Sequence, residues 1–147
     1  RKVPNGAFTE DLFSGRLDGV PIDVDGPHGN FHLHPGDGPM GCIAGGSGLA
    51  PLLSVLEKAR KDRVQRPCAF LFGARTEADL YALEQIDEIA MGWAAPFVFL
   101  PVLSHEPTGS AWKGARGWVT EFIDSEARTP GRCKRLPKAA RVAGIFF

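Results

Sequence analysis

The sequence has no acidic residue after Glu126. Residues 127–147 hold 6 Lys and Arg, while residues 1–126 carry all 17 acids against 11 Lys and Arg. The zero net charge therefore conceals a block of −6 and a block of +6, and the composition breaks near Ala127. With no global charge of either sign, no long-range field favours nucleic acid or a membrane surface. Cysteine is sparse. Cys42, Cys68 and Cys133 form no C-x-x-C pair and no iron–sulfur spacing. Cys42 and Cys68 sit in apolar runs, where a free cysteine behaves as a small buried hydrophobe. A reducing, cytoplasmic compartment fits this usage. No apolar run is long enough to span a bilayer, and no signal peptide is present. Of the histidines, His32 and His34 share a strand face at i, i+2, but two ligands without a third make no metal site, and none is expected. The chain starts at Arg1 rather than Met and reads as a piece of something longer.

What the sequence does have is a single organising stretch, Cys42 to Leu56, CIAGGSGLAPLLSVL. An apolar run (Cys42, Ile43, Ala44) meets Gly45, Gly46, Ser47 and Gly48. Leu49, Ala50 and Pro51 follow, and then Leu52, Leu53 and Leu56 at helical spacing. This is a strand, a glycine turn and a helix start. Glycine lets the backbone bend sharply and leaves no side chain between it and a ligand. Pro51 suits a first helical turn. The N–H groups of such a helix start, with the positive end of the dipole, form an anion site suited to a diphosphate. The dinucleotide fingerprint G-x-G-x-x-G is met at Gly46 and Gly48, but Pro51 stands at the third glycine. A tight turn without a ligand is the structural alternative.

The rest of the chain divides around this stretch. Residues 1–36 predict antiparallel β structure. Val20, Ile22 and Val24 alternate with polar or turn residues, and Phe31 and Leu33 alternate with His32 and His34. A short helix between Phe8 and Phe13 is also allowed, with Thr9 as its N-cap. Pro35 to Pro39 (PGDGP) is a linker. Residues 40–124 then alternate strand and helix. The helix that follows the glycine turn runs to Lys61, Cys68–Phe72 is a buried parallel strand, Ala78–Met91 a second helix, and Phe97–Leu103 a third strand. Gly114–Ile123 holds a turn and the start of a third helix. This α/β order is part of a doubly wound parallel sheet, with right-handed crossovers. Its ligands bind outside the carboxyl ends of the strands, at Gly45–Gly48, Gly73–Thr76 and Ser104–Pro107. Residues 125–147 have no period and read as a basic, poorly ordered tail.

Taken in order, GAFT (Gly6–Thr9), DGPHGNF (Asp25–Phe31), IAGGSGLAPLLS (Ile43–Ser54), LFGARTEADLYALEQI (Leu71–Ile86), PVLSHE (Pro101–Glu106) and WKGARGWVTEFI (Trp112–Ile123) resemble the ferredoxin–NADP⁺ reductase superfamily. They most resemble its flavin reductase components of bacterial multicomponent oxygenases, such as those of phenol hydroxylase and methane monooxygenase. The resemblance covers about Val3 to Ile123. It implies the end of an antiparallel FAD-binding barrel followed by an incomplete NAD(P)-binding domain, and an enzyme that passes electrons from NADH through FAD to a ferredoxin domain or oxygenase component. It further implies that Gly6, Ala7, Phe8 and Thr9 belong to the flavin-pyrophosphate segment. Gly45, Gly46, Ser47, Gly48, Leu49 and Pro51 would form the pyridine-nucleotide diphosphate loop. Gly73 and Arg75 would flank the adenosine ribose, and Ser104 and Glu106 would line the nicotinamide groove. The family's R-x-Y-S and C-G-P-P-x-M motifs and its four-cysteine ferredoxin module are not in this sequence, so no catalytic residue is assigned. A non-catalytic nucleotide-binding module is the alternative, and the isolated chain is expected to be marginally stable.

Several side chains carry two readings. Arg75 could meet a ribose 2′-phosphate, which would favour NADPH, or pair with Glu77 or Asp79. No carboxylate stands at the usual 2′-hydroxyl position and no second basic residue is close by; it is the resemblance to oxygenase reductases that implies NADH as the expected nucleotide, with NADPH the second choice. Phe8, Trp93, Trp112 and Trp118 are expected to pack. Ser104 and His105 are a nucleophile and a base, but neighbours on a strand point to opposite faces, which argues against a hydrolase.

Overall fold

The computed structural model describes residue 2, residues 4–26 and 28–123, and the backbone of 124–125 and 141–144. The chain divides into two units, residues 1–31 and 32–147.

The first unit contains one helix, α1 (Ala7–Phe13). Its N-cap is Gly6, in extended conformation, with no side-chain cap. Thr9 is thus not the N-cap the sequence led us to expect. It lies inside the first turn, and its hydroxyl donates back to the Gly6 carbonyl at 3.3 Å. Short hydroxyl side chains compete for local backbone acceptors in this way. Phe8 and Phe13 are both more than half exposed, so Phe8 is not a core residue. The antiparallel strands expected here do not form: among the described residues before Met40 there is no strand. Val20 to Val24 lacks any ladder, and Val24 is 84% exposed. Alternation encodes an apolar face but supplies neither a pairing partner nor a layer to cover that face. A strand needs both.

The second unit is built on β1 (Met40–Gly45), β2 (Cys68–Ala74), β3 (Phe97–Leu103), β4 (Ala115–Arg116) and β5 (Arg141–Gly144), all parallel and in the order β4-β3-β2-β1-β5. β1 lies inside the sheet, between β2 and β5, and both of its faces are apolar. Met40, Cys42 and Ala44 point to one side, where they pack with Phe70 and Phe72 beneath α2 (Leu49–Lys61) and α3 (Leu83–Met91). Helix α2 buries Leu49, Leu52, Leu53, Leu56 and Ala59, the stripe that a period of 3.6 predicts. On the other side Ile43, Ala69 and Leu71 meet Val119 and Phe122, from the 3-10 turn Val119–Glu121 and from α4 (Phe122–Ser125). This is the doubly wound arrangement. The Cys42 and Cys68 sulfurs lie 4.0 Å apart as free thiols. The hydrogen bond to Cys42 and burial push the Cys68 thiol up, so it stays protonated and packs as a hydrophobe.

The sheet departs from the sequence reading at three places. The helix expected over Ala78–Met91 begins only at Leu83. Before it, Thr76 caps a 3-10 turn (Glu77–Asp79), its N–H and hydroxyl donating to the Asp79 carboxylate at 3.2 and 3.0 Å. Ala82 then takes a left-handed φ of 56°. The capping box closes a single turn, and the reversal at Ala82 resets the helix. Leu80 still packs against the same apolar layer as Ile86, which is why the periodicity runs through the break. Strand β4 is too short to leave a pattern. The backbone of β5 pairs with β1 from Met40↔Arg141 to Ile43↔Gly144, within the span read as a tail; the remaining residues of that span after Ser125 lie outside the described ones.

Gly73 shows how tightly the second layer sits. A Cβ there would lie 3.0 Å from both Cβ and Cγ1 of Val119. We expect Gly73→Ala to destabilise the protein by about 1–3 kcal/mol through overpacking. Adding Val119→Ala should recover part of that loss, giving a favourable coupling in a double-mutant cycle read by denaturant unfolding. Strict additivity would refute the contact.

Candidate functional site

The carboxyl ends of the strands meet along one edge. Gly45 is paired with Gly73, Ala74 with Leu103, and Leu103 with Arg116. Strand order reverses beside β1, whose neighbours are β2 on one side and β5 on the other. A crevice at such a switch point is where open α/β sheets take ligands.

The glycine turn occupies this point. Gly45 is extended, at φ −133°, and Gly46 takes a left-handed φ of 50°. Gly46 opens the 3-10 turn Gly46–Gly48, which leads into α2. Built onto either Gly45 or Gly46, a Cβ would meet nothing within 4 Å. Gly46 is thus required for its conformation, and both glycines border open space. The first N–H groups of a helical start have no intrahelical acceptor. They stand here at the positive end of α2, 13 residues long. Leu49 is fully buried, so only its backbone belongs to this rim. Pro51 lies in the first turn, as expected.

Around the turn, side chains lock neighbouring loops to it. The Tyr81 hydroxyl donates to the Gly46 carbonyl at 2.9 Å. Beyond β2, the Ala74 carbonyl accepts from Ser104 N–H at 3.0 Å and the Arg75 carbonyl from His105 N–H at 2.8 Å. The Glu106 carboxylate accepts from Glu77 N–H at 2.8 Å. Arg116 gathers the next loop, donating to the carbonyls of Glu106, Pro107 and Trp112 and to the Ser110 hydroxyl, at 2.7, 3.0, 3.2 and 3.0 Å. Gly45–Pro51, Gly73, Arg75, Ser104 and Glu106 therefore share one edge. Gly6–Thr9 lie in the other unit.

Two expectations change. Ser104 and His105 lie beyond the end of β3, and their side chains meet, with Oγ 2.8 Å from Nδ1. The strand rule does not apply where the chain bends. Trp118 does not pack: it is 61% exposed, with the His105 ring edge-on at 5.8 Å. Trp93 is buried, as expected. Among the described residues Arg75 enters no ion pair with Glu77 or Asp79. Sequence reasoning missed Tyr81 and Arg116 because their partners are mainly backbone carbonyls; the one signal for Arg116 was its place in a Gly-rich run after a strand. Also among the described residues, no group of three potential metal ligands gathers, and no helix is long and apolar enough to cross a membrane.

The Glu77 N–H holds the Glu106 carboxyl below the usual carboxylate range, helped by Ser110 and by nearby Arg116. A lowered carboxyl contributes stability above its unfolded value and loses it as pH falls through the folded one. We therefore expect the protection factor of the Glu77 amide, followed by NMR exchange, to drop as pH falls below about 4. Glu106→Gln should abolish that step. A protection factor that stays flat through the acid titration of the Glu106 carboxyl, followed by its own side-chain NMR signal, would overturn the contact.

Comparison with known proteins gives the family. The family model described as "Oxidoreductase NAD-binding domain" matches residues 42–139. The xylene/toluene monooxygenase electron transfer component XylA of Pseudomonas putida is 42% identical over 123 residues, 84% of this chain and 35% of the relative. The reductase component, ferredoxin–NAD(P)⁺, of a naphthalene 1,2-dioxygenase system, also from Pseudomonas putida, is 37% identical over 86% of this chain and 38% of the relative. Among solved structures, the Amycolatopsis cytochrome P450 reductase GcoB superposes with a TM-score of 0.62 at 36% identity, over 87% of this chain and 38% of that one. The chain spans a little over a third of the length of the curated relatives it matches.

Proposed function

The chain belongs to the oxidoreductase NAD-binding domain family, and from that premise we propose that it is the nucleotide-binding part of a flavin-dependent NAD(P)H oxidoreductase. Such an enzyme passes electrons from NADH through FAD to an iron–sulfur or oxygenase partner. One observation carries the nucleotide half of this reading. A left-handed glycine and its extended neighbour border open space at the switch point, in front of a helix N-terminus. A dinucleotide diphosphate fits that cradle. The two Pseudomonas putida relatives, an electron-transfer component and a reductase component of oxygenase systems by name, support the electron-transfer half.

In this reading the backbone of Gly45–Pro51 takes the diphosphate. Gly73 and Arg75 border one flank of the nucleotide, and Ser104 and Glu106 the other. The exposed Trp118 and His105 offer ring faces beside them. The chemistry supplied by the bound groups is hydride transfer from the nicotinamide to the flavin; the protein's own task is to bind and orient. The hydrogen bonds from Tyr81, Arg116 and Glu77 serve that task by fixing the rim before a ligand arrives. Arg75 is the one basic side chain at the end of β2, and NADH is therefore proposed over NADPH. Gly6–Thr9 are proposed for the flavin-pyrophosphate segment on the resemblance alone. Folded as α1, with the Thr9 hydroxyl bonded back to Gly6, they form no flavin cradle, which favours as a second reading a nucleotide-binding module without redox activity.

Calorimetric titration of the 147-residue chain with NADH, NADPH and ADP-ribose tests the proposal. NADH and ADP-ribose should bind, and NADPH more weakly. Gly46→Val, which forces a β-branched residue to a positive φ, should weaken both by at least about tenfold. Flavin absorbance bleached by NADH would separate the redox reading from the binding module. No nucleotide binding at all would reduce the glycine stretch to a turn.

A further inference from the structure

Tyr81 reaches across 35 residues of sequence to the Gly46 carbonyl. Its ring stands edge-on to Phe72, centroids 5.8 Å apart at 85°, and Phe72 is fully buried on the sheet face that α2 and α3 cover. The left-handed Ala82 separates Tyr81 from the first turn of α3. A non-glycine residue holds that conformation only where the surrounding structure compensates for it. The tyrosine thus has a fixed base, and its hydroxyl ends at the one left-handed residue of the glycine turn.

The consequence follows from peptide geometry. A trans peptide is planar, and its C=O and N–H point in opposite directions. The carbonyl of the Gly46–Ser47 peptide is drawn toward Tyr81, on the side of α2 and α3. The Ser47 N–H of the same peptide is therefore turned away from that side. As the second residue of a 3-10 start, it has no intrahelical acceptor. A Cβ at Gly45 or Gly46 would meet nothing within 4 Å outside its own chain neighbours, so no side chain from elsewhere in the described residues fills the space beside those two positions.

We propose that Tyr81 is a positioning residue for the nucleotide: through the Gly46 carbonyl it sets the Gly46–Ser47 peptide so that the Ser47 N–H faces a bound diphosphate. This rests on the nucleotide reading above. Tyr81 acts through the backbone and does not touch the ligand. The Leu49 N–H donates to the same carbonyl from inside the turn, so the Tyr81 hydroxyl is a second restraint from outside it; without that hydroxyl the peptide is held less firmly, and part of the ordering cost moves to the binding step.

The test uses Tyr81→Phe in the full chain, which keeps the ring on Phe72 and removes only the hydroxyl. One neutral hydrogen bond sets the scale, so ADP-ribose affinity should fall about three- to tenfold, while the thermal midpoint moves by no more than about 2 °C. Inorganic pyrophosphate should shift the ¹⁵N-amide signal of Ser47 in the unaltered chain, and much less in the variant. Unchanged ADP-ribose affinity with an unchanged Ser47 response would overturn the proposal. A loss of affinity accompanied by collapse of the melting transition would also overturn it, since Tyr81 would then be supporting the fold. If the unaltered chain binds neither ADP-ribose nor pyrophosphate, the nucleotide reading itself fails, and this proposal with it.

Discussion

A strand buried on both faces must be flanked by helices on both faces, and β1 is that strand. Its backbone is satisfied by β2 on one edge and β5 on the other. Its side chains are divided between two apolar layers. Parallel pairing in register then has a geometric result. All strands end on the same side, so whatever follows Gly45, Ala74, Leu103 and Arg116 converges on one edge. Burial of the core and assembly of the site are the same event. Nothing in the loops has to find its neighbours independently.

The glycine turn marks where that burial has to stop. Apolar continuity runs from Met40 to Ala44 and resumes with Leu49 and Leu52. Between them, a side chain would close the space at the end of β1. Gly73, paired with Gly45 in the adjacent strand, lacks a side chain for a different reason: Val119 occupies the space. Two glycines side by side in one sheet thus do opposite jobs, one admitting the protein's own second layer and the other leaving room. Their letters are identical, and only the packing distinguishes them.

That contrast explains what could be read from the sequence and what could not. The three long strands, α2 and the position of the glycine turn were legible, because continuous apolar runs and a 3.6-residue stripe have few alternative structures. The early strands failed because alternation of Val20, Ile22 and Val24 names a face without naming a partner. The start of α3 failed because a capping box at Thr76 and a left-handed Ala82 leave the periodicity intact while breaking the helix. Within the site, the strand-end residues were legible as a set, since topology alone places them. The ties among them were not: Tyr81 to Gly46, Glu106 to Glu77 and Arg116 to three carbonyls join side chains to backbone, and backbone carries no sequence signal.

Those ties also determine how the edge behaves as a binding surface. A loop built of glycine would be mobile if left to itself, since glycine loses more conformational freedom than any other residue when it is ordered. Here the flexible residues are short and the restraints on them come from outside. Tyr81 rests on Phe72 and holds Gly46, while Glu106 and Arg116 hold the two loops that face it. Each restraint is made to a backbone group, so it fixes orientation without placing a side chain in the open space. On the proposed reading, an anion entering there would meet N–H groups of a helix start whose orientation the fold has set. Under that proposal the cost of ordering the loop falls on folding rather than on binding. A site of this kind needs room and rigidity at the same residues. Glycine gives the room, and side chains distant in sequence give the rigidity.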